Sequence, residues 1–177
     1  MEQIRIEVSE IKKRLPELRA GQSVLLSGTV YTARDAAHKR LCDLISAGGE
    51  LPIDLQGATI YYAGPTPAPD GLPIGSCGPT TSSRMDAFSP TLLDCGVVAM
   101  IGKGNRSESV RASIMKNGAV YFCAVGGAGA IAAKSVVSAE IIAFPELGCE
   151  AIRKLQVRDF PLIVGIDHEG RSLFDRD

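Results

Sequence analysis

The chain has 177 residues, 45% hydrophobic and 22% charged, which is apolar enough for a packed core and argues against an intrinsically disordered chain. Its 19 Lys and Arg against 20 Asp and Glu leave a formal net charge of −1. That balance excludes a nucleic-acid binder working by bulk charge, so any anion site must come from a few placed cations.

The opening MEQIRIEVSEIKKRL lacks the apolar core of a secretory signal, and no apolar run reaches the ~18 residues of a membrane span. A cytoplasmic protein with no membrane segment is expected, forming one domain over residues 1–177. Gln3–Val8 alternates like an edge strand, and Ile11–Leu18 suits a short helix broken at Pro16. Ser23–Thr32, SVLLSGTVYT, is rich in β-branched and apolar residues and reads as a strand. From Ala36 the spacing of Ala37, Leu41, Leu44 and Ile45 is helical, with Asp35 as expected N-cap and Gly48-Gly49 as stop.

Ala58–Tyr62 is a short strand, and the Pro- and Gly-rich stretch from Gly64 to Gly78 is a long loop of the kind that often carries function. Short helices are expected over Thr80–Phe88 and Pro90–Asp94, and a buried strand over Val97–Ile101. Ser107–Asn117 reads as a helix closed by Gly118, Ala119–Val125 as a strand, and Gly126–Gly129 as a tight turn. Ala130–Ala139 fits helix or loop, and Leu162–Ile166 with Ser172–Phe174 a closing hairpin. The sum is an α/β domain with a mixed sheet and several antiparallel pairings.

The cysteines, Cys42, Cys77, Cys95, Cys123 and Cys149, are scattered and never spaced C-x-x-C. They form neither a disulfide framework nor a zinc or self-contained iron–sulfur pattern; reduced thiols and no metal in this chain are expected.

Three polar islands lie where strands or loops give way to helices or turns. In TARDAAHKR, Arg34 ends a strand, and Asp35 lies three residues before His38, close enough to orient the imidazole for proton transfer. The plainer alternative is a capping aspartate and a surface histidine. In GPTTSSRMD the hydroxyls Thr80, Thr81, Ser82 and Ser83 precede Arg84, which suits an anion site with a two-pronged carboxylate clamp, or else an over-capped helix with a solvated arginine. In IGKGNR, Lys103 stands between glycines just past a strand, at the strand end where ligands gather in α/β sheets, or simply in a turn. Gly127-Ala128-Gly129-Ala130-Ile131-Ala132 fits a loose dinucleotide fingerprint, but no second βαβ half follows, and close backbone packing explains these glycines better.

In order and spacing, GTVYTARDAAHKR, GPTTSSRMD and IGKG resemble the β-subunit, or C-terminal domain, of class I fumarases and L-tartrate dehydratases. AGP at Ala63, FPELGCEAI at Phe144 and FPLIVGID at Phe160 extend the resemblance over nearly the whole chain. It implies the swivelling β/β/α fold of iron–sulfur hydro-lyases. It also implies an α-subunit whose three cysteines hold a 4Fe–4S cluster, over which this chain closes on a small dicarboxylate. By position, Arg34, Thr80, Arg84 and Lys103 match the family's substrate-contacting residues. Thr80 matches a threonine proposed as catalytic base, and His38 a histidine given an active-site role. The function implied is hydration of fumarate to L-malate in a hetero-oligomer, with a homo-oligomer for the isolated chain. L-tartrate dehydratase is the alternative, and a free-standing carboxylate-binding or regulatory domain is the reading from another class.

Overall fold

A computed structural model describes residues 3–124 and 129–175. Its strands are β1 (Ile4–Glu7), β2 (Ser23–Thr32), β3 (Thr59–Tyr61), β4 (Ala99–Gly102), β5 (Val120–Ala124), β6 (Val136–Ala143) and β7 (Ile152–Ile166). Its α-helices are α1 (Ile11–Arg14), α2 (Asp35–Ser46), α3 (Ser89–Asp94), α4 (Glu108–Asn117) and α5 (Gly129–Ser135). The strands form one mixed sheet in the order β1-β2-β3-β4-β5-β7-β6, with β2 also paired to β7. The pairs β1–β2, β2–β3, β3–β4 and β4–β5 are parallel, and the three pairs made by β7 are antiparallel. The pairings β2–β3–β4–β5–β7–β2 therefore trace a closed ring, with β1 and β6 outside it.

Side-chain alternation explains why the central strands look uniformly apolar. Tyr61, Ala99, Ile101, Val120 and Phe122 join one buried cluster with Val24, Leu26, Leu155 and Val164. Their neighbours Ile60, Tyr62, Met100 and Tyr121 join the other, under Ala37, Leu41, Leu92, Val110 and Ile114 of the helices. Both faces are covered, so there is no polar face to produce a period of two.

The α/β class with antiparallel pairings agrees with the sequence reading, and several details differ. Helical geometry in the first segment is confined to Ile11–Arg14, because Pro16 falls in a following 3₁₀ turn, Leu15–Glu17. Of the helix expected over Thr80–Phe88, only a 3₁₀ turn at Ser82–Met85 forms, since Thr80 and Thr81 are held extended against neighbouring strand ends. The cap of α2 is Arg34, not Asp35, which is already the first helical residue. Ala130–Ala139 divides into the end of α5 and the start of β6. The closing hairpin shrinks to a single bridge, Ile166 with Ser172, while β7 runs back to Ile152 and pairs with β6 as a long hairpin that the sequence reading lacks. Gly126, Gly127, Ala128 and Val125 lie outside the described residues, and with them most of the expected tight turn and the first two residues of the glycine fingerprint.

Candidate functional site

The parallel strands β2, β3 and β4 end side by side. Past their ends the backbone stays connected: Ala33 N–H donates to Tyr61 O at 3.0 Å, and Tyr62 N–H to Ile101 O at 2.9 Å. The segment leaving the long loop is threaded between these ends. Pro79 bridges Ala63, Thr80 N–H donates to Tyr62 O at 2.6 Å, Thr81 bridges Lys103, and Ser82 N–H donates to Lys103 O at 2.9 Å. Arg84 then reaches back to the first turn of α2, its Nη2 2.6 Å from Asp35 Oδ2. Arg34, Thr80, Thr81, Arg84 and Lys103 thus gather at the carboxyl end of the parallel strands, the usual ligand edge of such sheets.

Their environments differ. Thr81, Ser83, Arg84 and Lys103 are exposed, and Arg34 and Thr80 half-buried. Arg34 lies across Gly64, where a Cβ would come within 3.0 Å of both its Cδ and Nη1, so a larger residue there would press on the arginine. Arg34 Nε is shielded from solvent and has no hydrogen-bond partner among the described residues. A buried charged donor without an acceptor is costly, and an anion held there would satisfy it. Lys103 takes part in none of the ion pairs among the described residues.

Ser82 is not one of the outward hydroxyls. Its side chain is fully buried, and its Oγ lies 2.8 Å from the Tyr121 hydroxyl. Tyr121 donates to Gly104 O at 2.8 Å, so Ser82 donates to Tyr121. A Cβ on Gly102 would fall 1.9 Å from Ser82 Oγ, so this contact requires glycine beside Lys103. Ser82 therefore anchors the segment that carries Thr80, Thr81 and Arg84.

His38 is 1% exposed, with its ring edge-on to Tyr62 at 5.3 Å and tilted against Phe88 at 6.1 Å. Its Nδ1 lies 2.8 Å from the carbonyl of Arg34, which can only accept, so Nδ1 carries the proton. Burial depresses the imidazole pKa to about 4, outweighing the upward pull of that carbonyl, and the ring is neutral near pH 7. The orienting group is thus the Arg34 backbone, while Asp35 pairs with Arg84.

One residue of the site's support was not singled out from sequence. Arg106, the last residue of IGKGNR, has a fully buried side chain. Its Nε donates to Asp86 Oδ1 at 2.7 Å, and its Nη2 to Ser89 Oγ at 2.8 Å and the Tyr62 hydroxyl at 3.3 Å. Its guanidinium lies 5.2 Å from the Tyr62 ring centre and 4.9 Å from that of Tyr121. Burial opposes its charge, but Tyr62, Asp86 and Tyr121 together raise its pKa above the ordinary value. The signal for this pair was Asp86 closing one island and Arg106 closing another.

The residues present do not fit an iron–sulfur cluster. Among the described residues no three His, Cys, Asp or Glu side chains converge as metal ligands. Cys77 is buried, and that burial pushes its thiol pKa up to about 12, far from a ligating thiolate.

A family model described as the fumarase C-terminus matches residues 1–177. Among curated proteins, the chain is 41% identical over 171 residues to the anaerobic class I fumarate hydratase of Escherichia coli K12, covering 96% of this chain and 31% of that protein. It is 37% identical to fumarate hydratase 2 of Leishmania major, covering 96% of this chain and 30% of that protein. The chain thus spans about a third of the length of these relatives. A Methanocaldococcus jannaschii protein named as a candidate L(+)-tartrate dehydratase subunit beta is 36% identical over 170 residues, with 93% of this chain and 87% of that protein covered.

Proposed function

The chain belongs to the fumarase C-terminal family, and from that premise we propose that it is the substrate-clamping part of a hydro-lyase, most simply a fumarate hydratase. The gathering of Arg34, Arg84 and Lys103 at one sheet edge, with Arg34 Nε lacking an acceptor among the described residues, is the observation that carries this reading. A C4 dicarboxylate is a dianion, and taking it out of water requires paired charges.

In the direction of water loss, a proton leaves the carbon beside one carboxylate, negative charge grows on that carboxylate, and the C–O bond on the neighbouring carbon breaks, its hydroxide passing to the Lewis acid that a partner-borne cluster would supply. Cations fixed at that carboxylate stabilise the transition state more than the ground state. Thr80 takes the proton in this proposal, because it is half-exposed at the edge while His38 is buried behind it. Threonine is a weak base at its ordinary pKa, so the neighbouring cations must favour its alkoxide. His38 instead holds the Arg34 backbone, and Thr81 and Ser83 offer hydroxyls to the substrate rim.

A partner α-subunit with three ligating cysteines would carry the 4Fe–4S cluster. The relative named as a subunit beta, nearly matched in length, supports a two-chain arrangement. The free state of all five cysteines fits the reducing cytoplasm. The same relative favours a second reading, L-tartrate dehydratase, on the same scaffold. Co-expression with the candidate α-subunit, anaerobic cluster reconstitution, and assay on fumarate, L-malate and both tartrate enantiomers test the proposal. Hydration of fumarate is expected. Turnover of L-tartrate alone selects the second reading, and a loaded complex inert on all four overturns both.

A further inference from the structure

Asp35 is not among the groups that the proposed function places on the substrate, yet it pairs directly with one of them. Arg84 Nε donates to Asp35 Oδ2 at 2.9 Å, and Nη2 stands 2.6 Å from the same oxygen. These two nitrogens form the side-on edge of the guanidinium. The end-on edge, made by Nη1 and the outer hydrogen of Nη2, meets no hydrogen-bond acceptor among the described residues. That end-on edge is a second fork, free to grip a carboxylate with two parallel bonds.

The 3₁₀ turn that bears Arg84 leaves its side chain about half exposed. Unheld, such a chain samples many rotamers, and ordering it on substrate would weaken binding. Asp35 is well placed to remove that freedom. It is fixed in the first turn of the 12-residue helix α2, where the helix dipole favours its charge, and it occupies one edge of the guanidinium while leaving the other open. We infer that Asp35 is the positioning residue for Arg84, fixing the guanidinium plane so that its end-on fork faces the substrate carboxylate. The proposed function enters only in naming that ligand.

A merely structural Asp35 would act independently of Arg84, and an Asp35 that competes with substrate for the arginine would loosen binding by its presence. A double-mutant cycle separates these. Wild type, D35N, R84Q and the double variant are assembled with the cluster-bearing partner, and kcat and KM for fumarate are measured. D35N is expected to lower kcat/KM by about 10- to 100-fold, the usual consequence of a misplaced positioning group, mainly through KM. In the R84Q background the same change should move kcat/KM by less than about 3-fold. An equal factor in both backgrounds, unchanged kinetics in D35N, or a lower KM would each overturn the inference. The pair is partly exposed and contributes little to stability, so D35N should fold and melt like wild type.

Should the wild-type complex turn over neither fumarate nor tartrate, the functional reading fails by itself. The same four proteins then decide the inference by calorimetric binding of succinate, a non-reacting dicarboxylate. Weakening by D35N only when Arg84 is present supports it; equal weakening in both backgrounds, or no succinate binding by wild type, overturns it.

Discussion

Replacing Arg106 by methionine removes the cation of a buried pair while keeping much of the side-chain volume. Asp86, only 14% exposed, would then keep the Ser107 N–H at 2.8 Å and lose its counter-charge. Ser89 would lose one donor but keep its bond to Met85 O, and Tyr62 and Tyr121 would lose a cation between their rings. Breaking a buried pair from one side costs about 3–5 kcal/mol, because the remaining charge is stranded. For a chain of this size each kcal/mol lowers Tm by roughly 2–4 °C, so R106M should melt about 6–20 °C lower. D86N added to R106M removes the stranded charge. The double variant should therefore be more stable than the sum of the single losses by at least about 1 kcal/mol. Urea unfolding of wild type, both single variants and the double variant, followed by circular dichroism, measures each term. An R106M chain within about 1 kcal/mol of wild type, or strict additivity, would refute the view that this pair braces the loops beneath the site.

Three further outcomes follow from the same geometry. Arg84→Lys keeps the charge but loses the planar fork, and should reduce kcat/KM of the assembled enzyme roughly 30- to 1,000-fold, or ~2–4 kcal/mol, with an unchanged melting profile; near-normal turnover would remove Arg84 from the substrate. Thr80→Ala should damage kcat more than His38→Asn, whose effect should fall mainly on KM through Arg34; a Thr80→Ala enzyme with nearly full turnover, or one keeping an acid limb that His38→Asn abolishes, would transfer the proton role to His38. His38 also makes stability depend on pH. Its folded pKa of about 4 lies below the unfolded value near 6.5, so between these values the unfolded chain binds a proton that the folded chain refuses. Stability from this group is complete above pH 6.5 and lost as pH falls toward 4, by roughly 2 kcal/mol between pH 7 and pH 5. Denaturant midpoints of His38→Asn should lack that share of the slope, and an unchanged slope would contradict a buried neutral imidazole.

The parts of the fold legible in sequence are those with local causes. β2 is a run of β-branched and apolar residues, and α4 is bracketed by Ser107, whose side chain accepts from Val110 N–H, and Gly118 with φ 61°. The β6–β7 hairpin was hidden because its signal is shared with its partners. Arg153, Lys154, Arg158 and Asp159 give β7 a charged look, and Pro161 lies inside it against Leu25 of β2, a position that ordinarily argues against a strand. At the site, the islands named the right loops, since strand ends and hydroxyl runs are local. Which hydroxyl turns inward was not local. Ser82 is drawn into the core by Tyr121, 39 residues away, and by the space that Gly102 leaves. Arg106 escaped notice for the same reason, because a buried arginine is recognised only by partners that the chain brings from elsewhere.

The start of α2 breaks an ordinary rule of helix capping. Arg34 occupies the cap position without a side-chain cap bond, where Ser, Thr, Asp or Asn would be expected and where the helix dipole disfavours a cation. Glu150 replaces part of the missing cap from a distant turn, its Oε1 3.3 Å from Ala36 N–H. His38, one turn on, grips the Arg34 carbonyl, and Asp35 between them grips Arg84. A single helical turn therefore holds one arginine by its backbone and braces a second through Asp35. In the proposed function, a dianion settling among Arg34, Arg84 and Lys103 would satisfy Arg34 Nε and meet a cation at each end. An occupant charged at one end alone would leave part of that positive charge unmet. On this physical ground a dicarboxylate fits the site better than a monoacid of the same length.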